Sequence, residues 1–574
     1  MSGKTGRHGA RARPPGLARK LAGLALDLTP HLFAVLALIA GVLILTSSAT
    51  PLLRDRLAAL LQVAPIFVVE LSHFASSIIG FLLLVVSAGL WRRREGAYWT
   101  ALLLLLLGAG FSLLRGLEFE VAGVLAATAA ALAPCRPAFD RRSRLNGGLG
   151  RNLNGAWLAL IVAVVAAVAW LGFFAYRDVA YTDELWWTFL RDADASRFLR
   201  AEAALAVLTL LLAMRVLLSS PVSSFRGRPT PEDLDRAAAV IAEAEVAQED
   251  APLALLGDKD LLFSPSGRSF LMFRVRGSRW VAMGEPVGLR EERRALMWRF
   301  AELADRDGDT PVFYGVTPDL LPELVDLGFT VRKVGETAEV ELARFALEGR
   351  PRQALRTARN RAGREGVRFE VLERGAAYAE AERLKAVSDS WLSRQKGGEK
   401  GFSMGRFDLD YLARTRLAVV RLEDRIVAFA NLWETPGAVA VDLMRYADEA
   451  PPYVMDYLFA ELLLWAKAEG ALRFGLGGAP LSGLHEHRLA PLLTRLGALL
   501  FEEGGALYSF KGLRAYKEKF DPVWEPRYLA APASAPLATV LLDVALLTGQ
   551  GWRGLVLPPR PRIPALQDRV RQEA

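Results

Sequence analysis

Cysteine and histidine are scarce in this sequence of 574 residues. The single cysteine, Cys135, excludes an internal disulfide and a metal cluster built on cysteines. Only two of the 5 histidines, His485 and His487, lie in the charged second half of the chain. Their i, i+2 spacing does not match the zinc-binding helix motif. We therefore predict no metal site.

Several signatures of enzyme chemistry are also missing. The sequence contains no GxSxG nucleophile motif, no Ser-His-Asp signature, no phosphate-binding P-loop and no protein-kinase motif set. Nothing in it indicates ATP hydrolysis, and we predict no cofactor.

Long apolar runs, by contrast, fill the first part of the chain. Hydrophobic residues make up 52% of the sequence and are gathered in runs before Leu218, whereas charged residues are frequent after it. A helix needs roughly 20 apolar residues to cross the hydrocarbon core of a bilayer. The candidate membrane spans are Leu32–Ser48, Ile66–Leu90, Ala97–Leu114, Val121–Leu132, Ala156–Tyr176 and Ala201–Leu218.

The charges between these runs predict their orientation. Basic residues are concentrated in the N-terminal tail, in Trp91–Glu95 and in Cys135–Arg151, whereas Arg177–Arg200 has mixed charge. By the positive-inside rule the first three segments are cytoplasmic. An even number of spans then places everything after Leu218 in the cytoplasm. We expect the basic tail to precede a retained span, because it lacks a clear cleavage site for a signal peptide.

Two ionisable residues, Glu70 and His73, lie inside the second apolar run. Ionisable groups at that depth are candidates for a functional role. The alternative is a hydrogen bond between two helices, and the sequence does not decide between them.

The second half has the pattern of a mixed α+β domain. Thr230 can cap a helix that begins at Pro231, and the alternation after it predicts an order of elements that occurs twice. The first set is strands Leu261–Ser264, Ser269–Arg276 and Arg279–Met283, helix Glu291–Asp305, strand Pro311–Val316 and helix Leu320–Leu327. The second set is helix Tyr378–Gln395, strands Leu417–Leu422, Ile426–Thr435 and Ala438–Tyr446, helix Tyr453–Glu469, strand Arg473–Leu476, helix Ala490–Leu496 and a strand near Leu507–Phe510. The recurrence indicates a duplicated acyltransferase-like fold.

The predicted fold class is therefore an α-helical transmembrane bundle of about six spans followed by a cytoplasmic α+β domain. The predicted divisions are a transmembrane domain at 1–218, a linker at 219–235, a first subdomain at 236–375, a second, catalytic subdomain at 376–535 and a tail at 536–574. Within the tail, Leu537–Leu547 is too short to span a bilayer. It is either a helix on the membrane surface or part of the domain core.

The segment Gly349–Gly366 is strongly basic, with six arginines and one glutamate. Helical spacing places Arg352, Arg356 and Arg359 on one face. Such a face can bind the phosphates of RNA or of lipid headgroups. The alternative is a solvated helix face, and the net charge favours phosphate binding.

Asp442 and Arg445 lie near the end of a predicted strand, AVAVDLMRY. Residues three apart in a straight strand point to opposite faces, so a shared site would require a β-bulge. A carboxylate beside a guanidinium can hold a substrate ammonium and an ester or phosphate oxygen. The alternative is a structural ion pair.

Two further segments carry candidate groups. The loop Gly475–Leu484 can present backbone N–H groups to an oxyanion, or it can be a tight turn between strand and helix. Basic residues are interleaved with aromatic ones near the end of the domain, an arrangement that suits phosphate binding and stacking. These residues are Arg514, Lys517 and Lys519, with Tyr508, Tyr516 and Trp524.

Several of these motifs together resemble the aminoacyl-phosphatidylglycerol synthases, the multiple peptide resistance factor family. The resemblance covers most of residues 60–530. It is carried by FSMGRFD (Phe402–Asp408), DLMRY (Asp442–Tyr446), MDYLFAELLLWAKAEG (Met455–Gly470), APLSGL (Ala479–Leu484), GLRAYKEKFDPVWEPRYLA (Gly512–Ala530) and, in the apolar half, ELSHFASSIIG (Glu70–Gly80) and YTDELWWTF (Tyr181–Phe189).

The resemblance implies a tandem acetyltransferase-like (GNAT) fold. It also implies transfer of lysine or alanine from aminoacyl-tRNA to phosphatidylglycerol, which lowers the negative charge of the membrane and gives resistance to cationic antimicrobial peptides. The expected location is the bacterial cytoplasmic membrane, as a multi-pass protein with the catalytic domain in the cytoplasm. The implied partners are aminoacyl-tRNA, phosphatidylglycerol and other anionic lipid of the inner leaflet, with a homo-oligomer as a further option.

The family's functional residues match particular positions of this chain. Its aspartate, the arginine three residues on and a lysine of the terminal motif correspond to Asp442, Arg445 and Lys517. We predict that polar residues of the matching motifs bind the lipid or the aminoacyl end, and that Arg352, Arg356 and Arg359 bind the tRNA. The first of these sets is Ser403, Arg406, Tyr446, Ser482, Arg514 and Lys519.

This chain also departs from the family. Larger members carry more spans, including a flippase module, so we do not expect this chain to flip its product. Gly475 and Gly478 stand where the family loop has Asn and Met. The alternatives left open are an acyltransferase of the same fold that does not use tRNA, and a non-catalytic membrane lipid carrier or sensor.

Overall fold

The computed structural model describes residues 17–48, 66–116, 118–141, 228–395, 398–484 and 510–551, with His487 and Leu489. The chain divides near residue 223 into two compact units, and each is described by itself.

The first unit is built from apolar helices. Its described helices are α1 (Leu17–Ser48), α2 (Ile66–Trp91), α3 (Glu95–Gly116) and α4 (Phe119–Leu132). Helices α1 and α2 pack closely because both carry glycine where they meet. A Cβ added to Gly41 would lie 2.8 Å from the carbonyl oxygen of Gly80, and small residues permit such an approach between apolar helices.

Among the described residues of this unit, three segments are long and apolar enough to cross a membrane: Leu28–Ser47, Glu95–Leu114 and Phe119–Ala138. The first four predicted spans fall on α1 to α4. The three segments above belong to α1, to α3 and to α4 with the residues after it, so a membrane span at α2 stays a prediction. The predicted spans Ala156–Tyr176 and Ala201–Leu218, and the side chains of Glu70 and His73, lie outside the described residues.

The second unit combines helices with one large sheet. Its described α-helices are α5 (Pro231–Ala242), α6 (Arg290–Arg306), α7 (Leu321–Asp326), α8 (Gln353–Arg364), α9 (Ala381–Ser393), α10 (Leu409–Ala413), α11 (Val454–Ala468), α12 (Phe510–Glu518) and α13 (Leu537–Thr548). Its strands are β1 (Asp260–Phe263), β2 (Phe270–Arg276), β3 (Arg279–Met283), β4 (Thr310–Val316), β5 (Phe329–Glu341), β6 (Val367–Leu372), β7 (Arg416–Leu422), β8 (Arg425–Thr435), β9 (Ala438–Tyr446), β10 (Arg473–Pro480) and β11 (Val523–Pro532).

The same strand layout occurs twice in this sheet, as the sequence predicts. Strands β1, β2 and β3 form an antiparallel meander, and β4 lies parallel to β3. Strands β7, β8 and β9 form a second meander, and β10 lies parallel to β9. The full order is β1-β2-β3-β4-β11-β5-β10-β9-β8-β7-β6. The predicted helix Ala490–Leu496 and residues 507–509 of the strand predicted near Leu507–Phe510 lie outside the described residues, and Phe510 begins helix α12.

The two halves of the sheet exchange their last strands. Strand β5 follows the first half in sequence but pairs with β10, and β11 follows the second half but pairs with β4. The two exchanged strands also pair with each other along Val523–Pro532. The sheet is consequently continuous across the boundary predicted at residue 375.

Helices cover both faces of this sheet. Helices α8 and α11 pack on one face of its second half, while α5, residues 251–256 and α13 share a core with Phe270, Ala440 and Leu529. Val540 and Val544 of α13 are buried there, and Asp543 forms ion pairs with two arginines of the first meander. Of the two interpretations of Leu537–Leu547, the structure supports the domain core.

Candidate active site between two parallel strands

A notch opens in the second half of the sheet where two parallel strands separate. Strands β9 and β10 pair from Arg473 with Ala438 to Gly475 with Ala440, and the pairing ends there. Beyond this point β9 continues along β8 and β10 continues along β5. Ligands of open α/β sheets bind beyond the carboxyl ends of parallel strands, so this notch is the natural place for a substrate.

A β-bulge places Asp442 and Arg445 on the same face of the sheet. The register between β8 and β9 shifts after Ala430, so that Leu432 lies opposite Val441. The buried Asn431 side chain stabilises the bulge, because its Oδ1 accepts a hydrogen bond from the N–H of Leu443 at 2.8 Å. The bulge that a shared site would require is therefore present.

The Asp442 carboxylate is held by hydrogen bonds to both oxygens. Its Oδ1 accepts from the N–H of Gly405 at 2.8 Å, and its Oδ2 accepts from the Tyr411 hydroxyl at 2.8 Å. The Tyr411 oxygen in turn accepts from Nε1 of Trp433 at 2.7 Å. Burial raises the pKa of Asp442, and these hydrogen bonds and the charge of Lys259 oppose that rise.

Gly405 and Lys259 complete this network. A Cβ on Gly405 would lie 1.7 Å from Oδ2 of Asp442, so only glycine fits there. The fully buried Lys259 donates to Asp258 at 2.6 Å and to the carbonyl of Leu253 at 3.1 Å. Burial lowers the pKa of Lys259, while Asp258 and Asp442 oppose that shift by favouring the ammonium form.

Arg445 occupies a separate pocket next to α9. Its guanidinium is 2% exposed and forms a two-point contact with Glu399, at 2.8 Å and 2.7 Å, besides a hydrogen bond to Ser388. It also lies 5.0 Å from the ring centroid of Trp391. In this structure the Glu399 carboxylate therefore neutralises Arg445 and occupies its donor groups.

Lys517 lies at the notch itself. It projects from α12, is 4% exposed, and its Nζ donates to the carbonyls of Gly477 and Gly478, each at 2.8 Å. Burial lowers its pKa to about 8, and the nearby Glu249 carboxylate opposes that shift. The two carbonyls are available because β10 bulges between Gly475 and Gly478.

Glu249 was not among the residues predicted from the sequence, yet it lies against the same strand. A Cβ on Gly475 would be 1.6 Å from its Oε2, so the missing side chain of Gly475 makes room for this carboxylate. Burial, followed by repulsion from Glu339, raises the pKa of Glu249 to about 8. Its segment, AQEDAP, carries no motif that marks a site.

The other predicted substrate residues are dispersed. The Ser403 hydroxyl is 2.8 Å from that of Thr548, Arg406 lies 3.5 Å from Asp408, and the Tyr446 carbonyl accepts from Arg394 at 2.6 Å.

A second polar cluster contains two more of the predicted substrate residues. Ser482 and Arg514 both contact Glu336, and they hold the pKa of that carboxyl at about 2 together with Lys333, against the effect of burial. Lys519 pairs with Asp456 at 3.0 Å. The structure therefore does not gather these side chains around Lys517.

Two predicted tRNA-binding side chains of the basic segment, Arg352 just before α8 and Arg356 within it, are used inside the protein. Arg352 donates to the carbonyls of Lys519 and Phe520, and Arg356 donates to those of Leu347 and Gly349. Arg359 is half exposed and pairs with Glu461 at 2.7 Å. The sequence could not show this, because the acceptors of Arg352 come from a segment more than 160 residues away.

Removal of the Tyr411 hydroxyl should weaken the Asp442 network. Tyr411→Phe leaves the buried N–H of Trp433 and one oxygen of Asp442 without this partner, which costs about 1–3 kcal/mol of folding free energy. Thermal or chemical denaturation measures the loss, with the exposed Tyr378→Phe as the matched control. A Tyr411→Phe protein as stable as the wild type would contradict the assigned network.

Comparisons with known proteins agree on one family. The family model for the C-terminal region of phosphatidylglycerol lysyltransferase matches residues 238–531. A phosphatidylglycerol lysyltransferase of Bacillus subtilis is 32% identical over 532 residues, covering 91% of this chain and 60% of that protein. One of Staphylococcus epidermidis is 34% identical over 280 residues, covering 48% of this chain and 33% of that protein.

Solved structures include a similar domain. A crystal structure of a C-terminal domain described as that of a lysylphosphatidylglycerol synthetase, from Agrobacterium fabrum, is 39% identical with a TM-score of 0.51. The match covers 56% of this chain and 99% of that one. This chain spans less than two thirds of the length of the curated relatives described above. By the match over residues 238–531, the chain belongs to the phosphatidylglycerol lysyltransferase family.

Proposed function

We propose that this protein transfers lysine from lysyl-tRNA to the headgroup hydroxyl of phosphatidylglycerol. The observation that carries the proposal is the notch between β9 and β10. Lys517 bonds to β10 there, and the Glu249 carboxylate lies against Gly475 of the same strand, with Asp442 and Arg445 on β9. The names of the relatives supply the amino acid and the lipid. If the transferred amino acid is alanine, the assay described below will label the lipid with alanyl-tRNA instead of lysyl-tRNA.

The reaction exchanges one ester for another. The headgroup hydroxyl attacks the aminoacyl carbonyl, and the ribose hydroxyl of the tRNA leaves, so ATP is not consumed in this step. Lys517 stabilises the negative charge that develops on the carbonyl oxygen, as a fixed cation does in a site with little water. Asp442 orients the amino group of the aminoacyl end, and Arg445 holds the lipid phosphate after Glu399 is displaced.

The basic segment around α8 binds the tRNA in this proposal. With Arg352 and Arg356 engaged by backbone carbonyls and Arg361 paired with Glu365, the direct phosphate contacts fall to the exposed arginines Arg350 and Arg364. Reduced negative charge on the membrane and resistance to cationic peptides follow from the product. The multi-pass helices keep the domain at the cytoplasmic leaflet.

A transfer assay with the full-length protein tests this function. Detergent-solubilised protein, phosphatidylglycerol vesicles and radiolabelled lysyl-tRNA should give label in the lipid extract. Complete ribonuclease digestion of the tRNA beforehand should abolish the labelling. Transfer that survives the digestion would favour the tRNA-independent acyltransferase, and a wild-type protein without any transfer would favour the lipid carrier or sensor.

The salt dependence of tRNA binding tests the tRNA-binding segment. In the double variant Arg350→Gln/Arg364→Gln, the slope of log affinity for tRNA against log salt should be less steep, by about 1 for each phosphate that the variant no longer neutralises. Arg425→Gln/Arg344→Gln is the control with the same change of charge on exposed residues elsewhere. Equal slopes for both double variants would contradict binding by this segment.

A further inference from the structure

Glu249 stands out as a carboxylate that the proposed roles leave unused. It follows α5 and lies over the backbone of Gly475, at the last point where β9 and β10 are paired. Lys517 reaches the same stretch of β10, because its Nζ bonds to the carbonyls of Gly477 and Gly478. A carboxylate and an ammonium group therefore approach one short segment of β10.

The hydrogen-bonding state of Glu249 distinguishes it from Asp442. Both oxygens of Asp442 accept hydrogen bonds from Gly405 and Tyr411, which fixes that carboxylate. Glu249, by contrast, is influenced by burial and by neighbouring charges, and no described residue donates a hydrogen bond to its side chain. The residue as a whole is partly buried, and its carboxylate lies against the backbone of Gly475.

The electrostatic surroundings suit a group that gains and loses a proton. Burial and the charges of Glu339 and Asp250 raise the pKa of Glu249 to about 8, while Arg527 and Lys517 oppose the rise. A general base is most effective when its pKa is near the working pH. Free glutamate, with a pKa near 4.3, is a much weaker base.

We propose that Glu249 is the general base and general acid of the ester exchange, an inference that rests on the proposed function. Its carboxylate takes the proton from the headgroup hydroxyl as the hydroxyl oxygen bonds to the aminoacyl carbonyl carbon. The bond between that carbon and the ribose oxygen then breaks, and Glu249 returns the proton to the ribose oxygen. The proton is conserved, no other reactant is needed, and Lys517 stabilises the intermediate oxyanion.

Glu249→Gln tests this role by the size and the pH dependence of its effect. General acid–base catalysis contributes typically 10²–10⁴-fold, so kcat should fall by about 100-fold or more while KM changes by a few-fold. The deprotonated fraction of Glu249 increases as pH rises through 8, so the wild-type rate should rise between about pH 6.5 and 8. Above pH 8 the rate should fall, because Lys517, whose pKa is also about 8, loses the proton that its role requires. In Glu249→Gln that rise should be lost, and titration of the substrate itself cancels in the comparison.

Chemical rescue separates catalysis from a structural role. Glu249→Ala leaves space above Gly475, and sodium formate should restore part of its activity by supplying a carboxylate there. Glu245→Gln, an exposed glutamate of the same segment, is the matched control and should behave as wild type.

Activity of Glu249→Gln within threefold of wild type, or a loss with unchanged pH dependence and no rescue by formate, would overturn the role of Glu249 alone. A wild-type protein that forms no aminoacyl lipid would overturn the proposed function and this inference with it.

Discussion

Lys517→Met is expected to reduce the transfer rate by a factor on the order of 10²–10³, the loss seen when one fixed group that stabilises an oxyanion is removed. Methionine fills a similar volume but cannot donate to the carbonyls of Gly477 and Gly478, and it carries no charge. Because the change removes charge at the point where negative charge develops, the loss should be in kcat rather than in KM. Steady-state kinetics of the reconstituted transfer measures both.

The control for this change is another lysine that lies far from the notch. Lys385 is on α9, is half exposed and pairs with Asp389 on the same helix. Lys385→Met should therefore keep the wild-type rate. Circular dichroism should show the same secondary structure for both variants. A Lys517→Met protein with the rate of wild type would remove Lys517 from the proposed reaction.

Asp442→Asn is expected to have the second large effect, a loss of about 100-fold or more in kcat/KM. Asparagine has nearly the same shape, so its oxygen can still accept from Gly405, but the amide cannot accept the Tyr411 hydrogen bond in the same way. The variant also removes a negative charge that faces Lys259. A substrate ammonium that relies on this carboxylate loses a charge-assisted hydrogen bond.

The measurement for Asp442→Asn must distinguish a loss of the transfer reaction from a loss of folding. A filter-binding assay with tRNA should give the wild-type affinity, because the basic segment at α8 is unchanged, while the transfer rate falls. Asp448→Asn, an exposed aspartate just beyond β9, is the matched control. Full transfer activity in Asp442→Asn would favour the structural interpretation of this residue.

The elements with clear periodicity were predictable from the sequence. Strands β3 and β9 have the predicted limits, Arg279–Met283 and Ala438–Tyr446, and the capping box at Thr230 begins the helix expected there. The sequence also showed that Asp442 and Arg445 could share a site only through a bulge. Where that bulge falls depends on Asn431 of the neighbouring strand, which no local pattern reveals.

Strands β5, β6 and β11 were not predicted. Strand β5 carries Lys333, Glu336 and Glu339, and its burial does not alternate along most of its length. It is stabilised as a strand by pairing with β10 and β11, which lie more than 100 residues later in the chain. Pairing with distant strands therefore determines the conformation of this segment and outweighs its local preference.

The candidate site was predicted only in part for the same reason. Lys517 belongs to a long motif, and its resemblance to the family identified it. Glu249 belongs to no motif, and it reaches the notch because β9 and β10 separate beyond Gly475 and because Gly475 has no side chain. Long-range pairing of this kind cannot be derived from spacing along one chain.

In the proposed reaction, residues at the notch between β9 and β10 transfer an amino acid to phosphatidylglycerol. Mass spectrometry of lipid extracts tests it most directly, in a bacterial strain without its own aminoacylated phosphatidylglycerol that expresses either the wild type or Lys517→Met at equal levels. We expect lysyl-phosphatidylglycerol with the wild type and at least a roughly tenfold lower amount with Lys517→Met. Equal amounts with both proteins, or no aminoacylated lipid with the wild type, would contradict it.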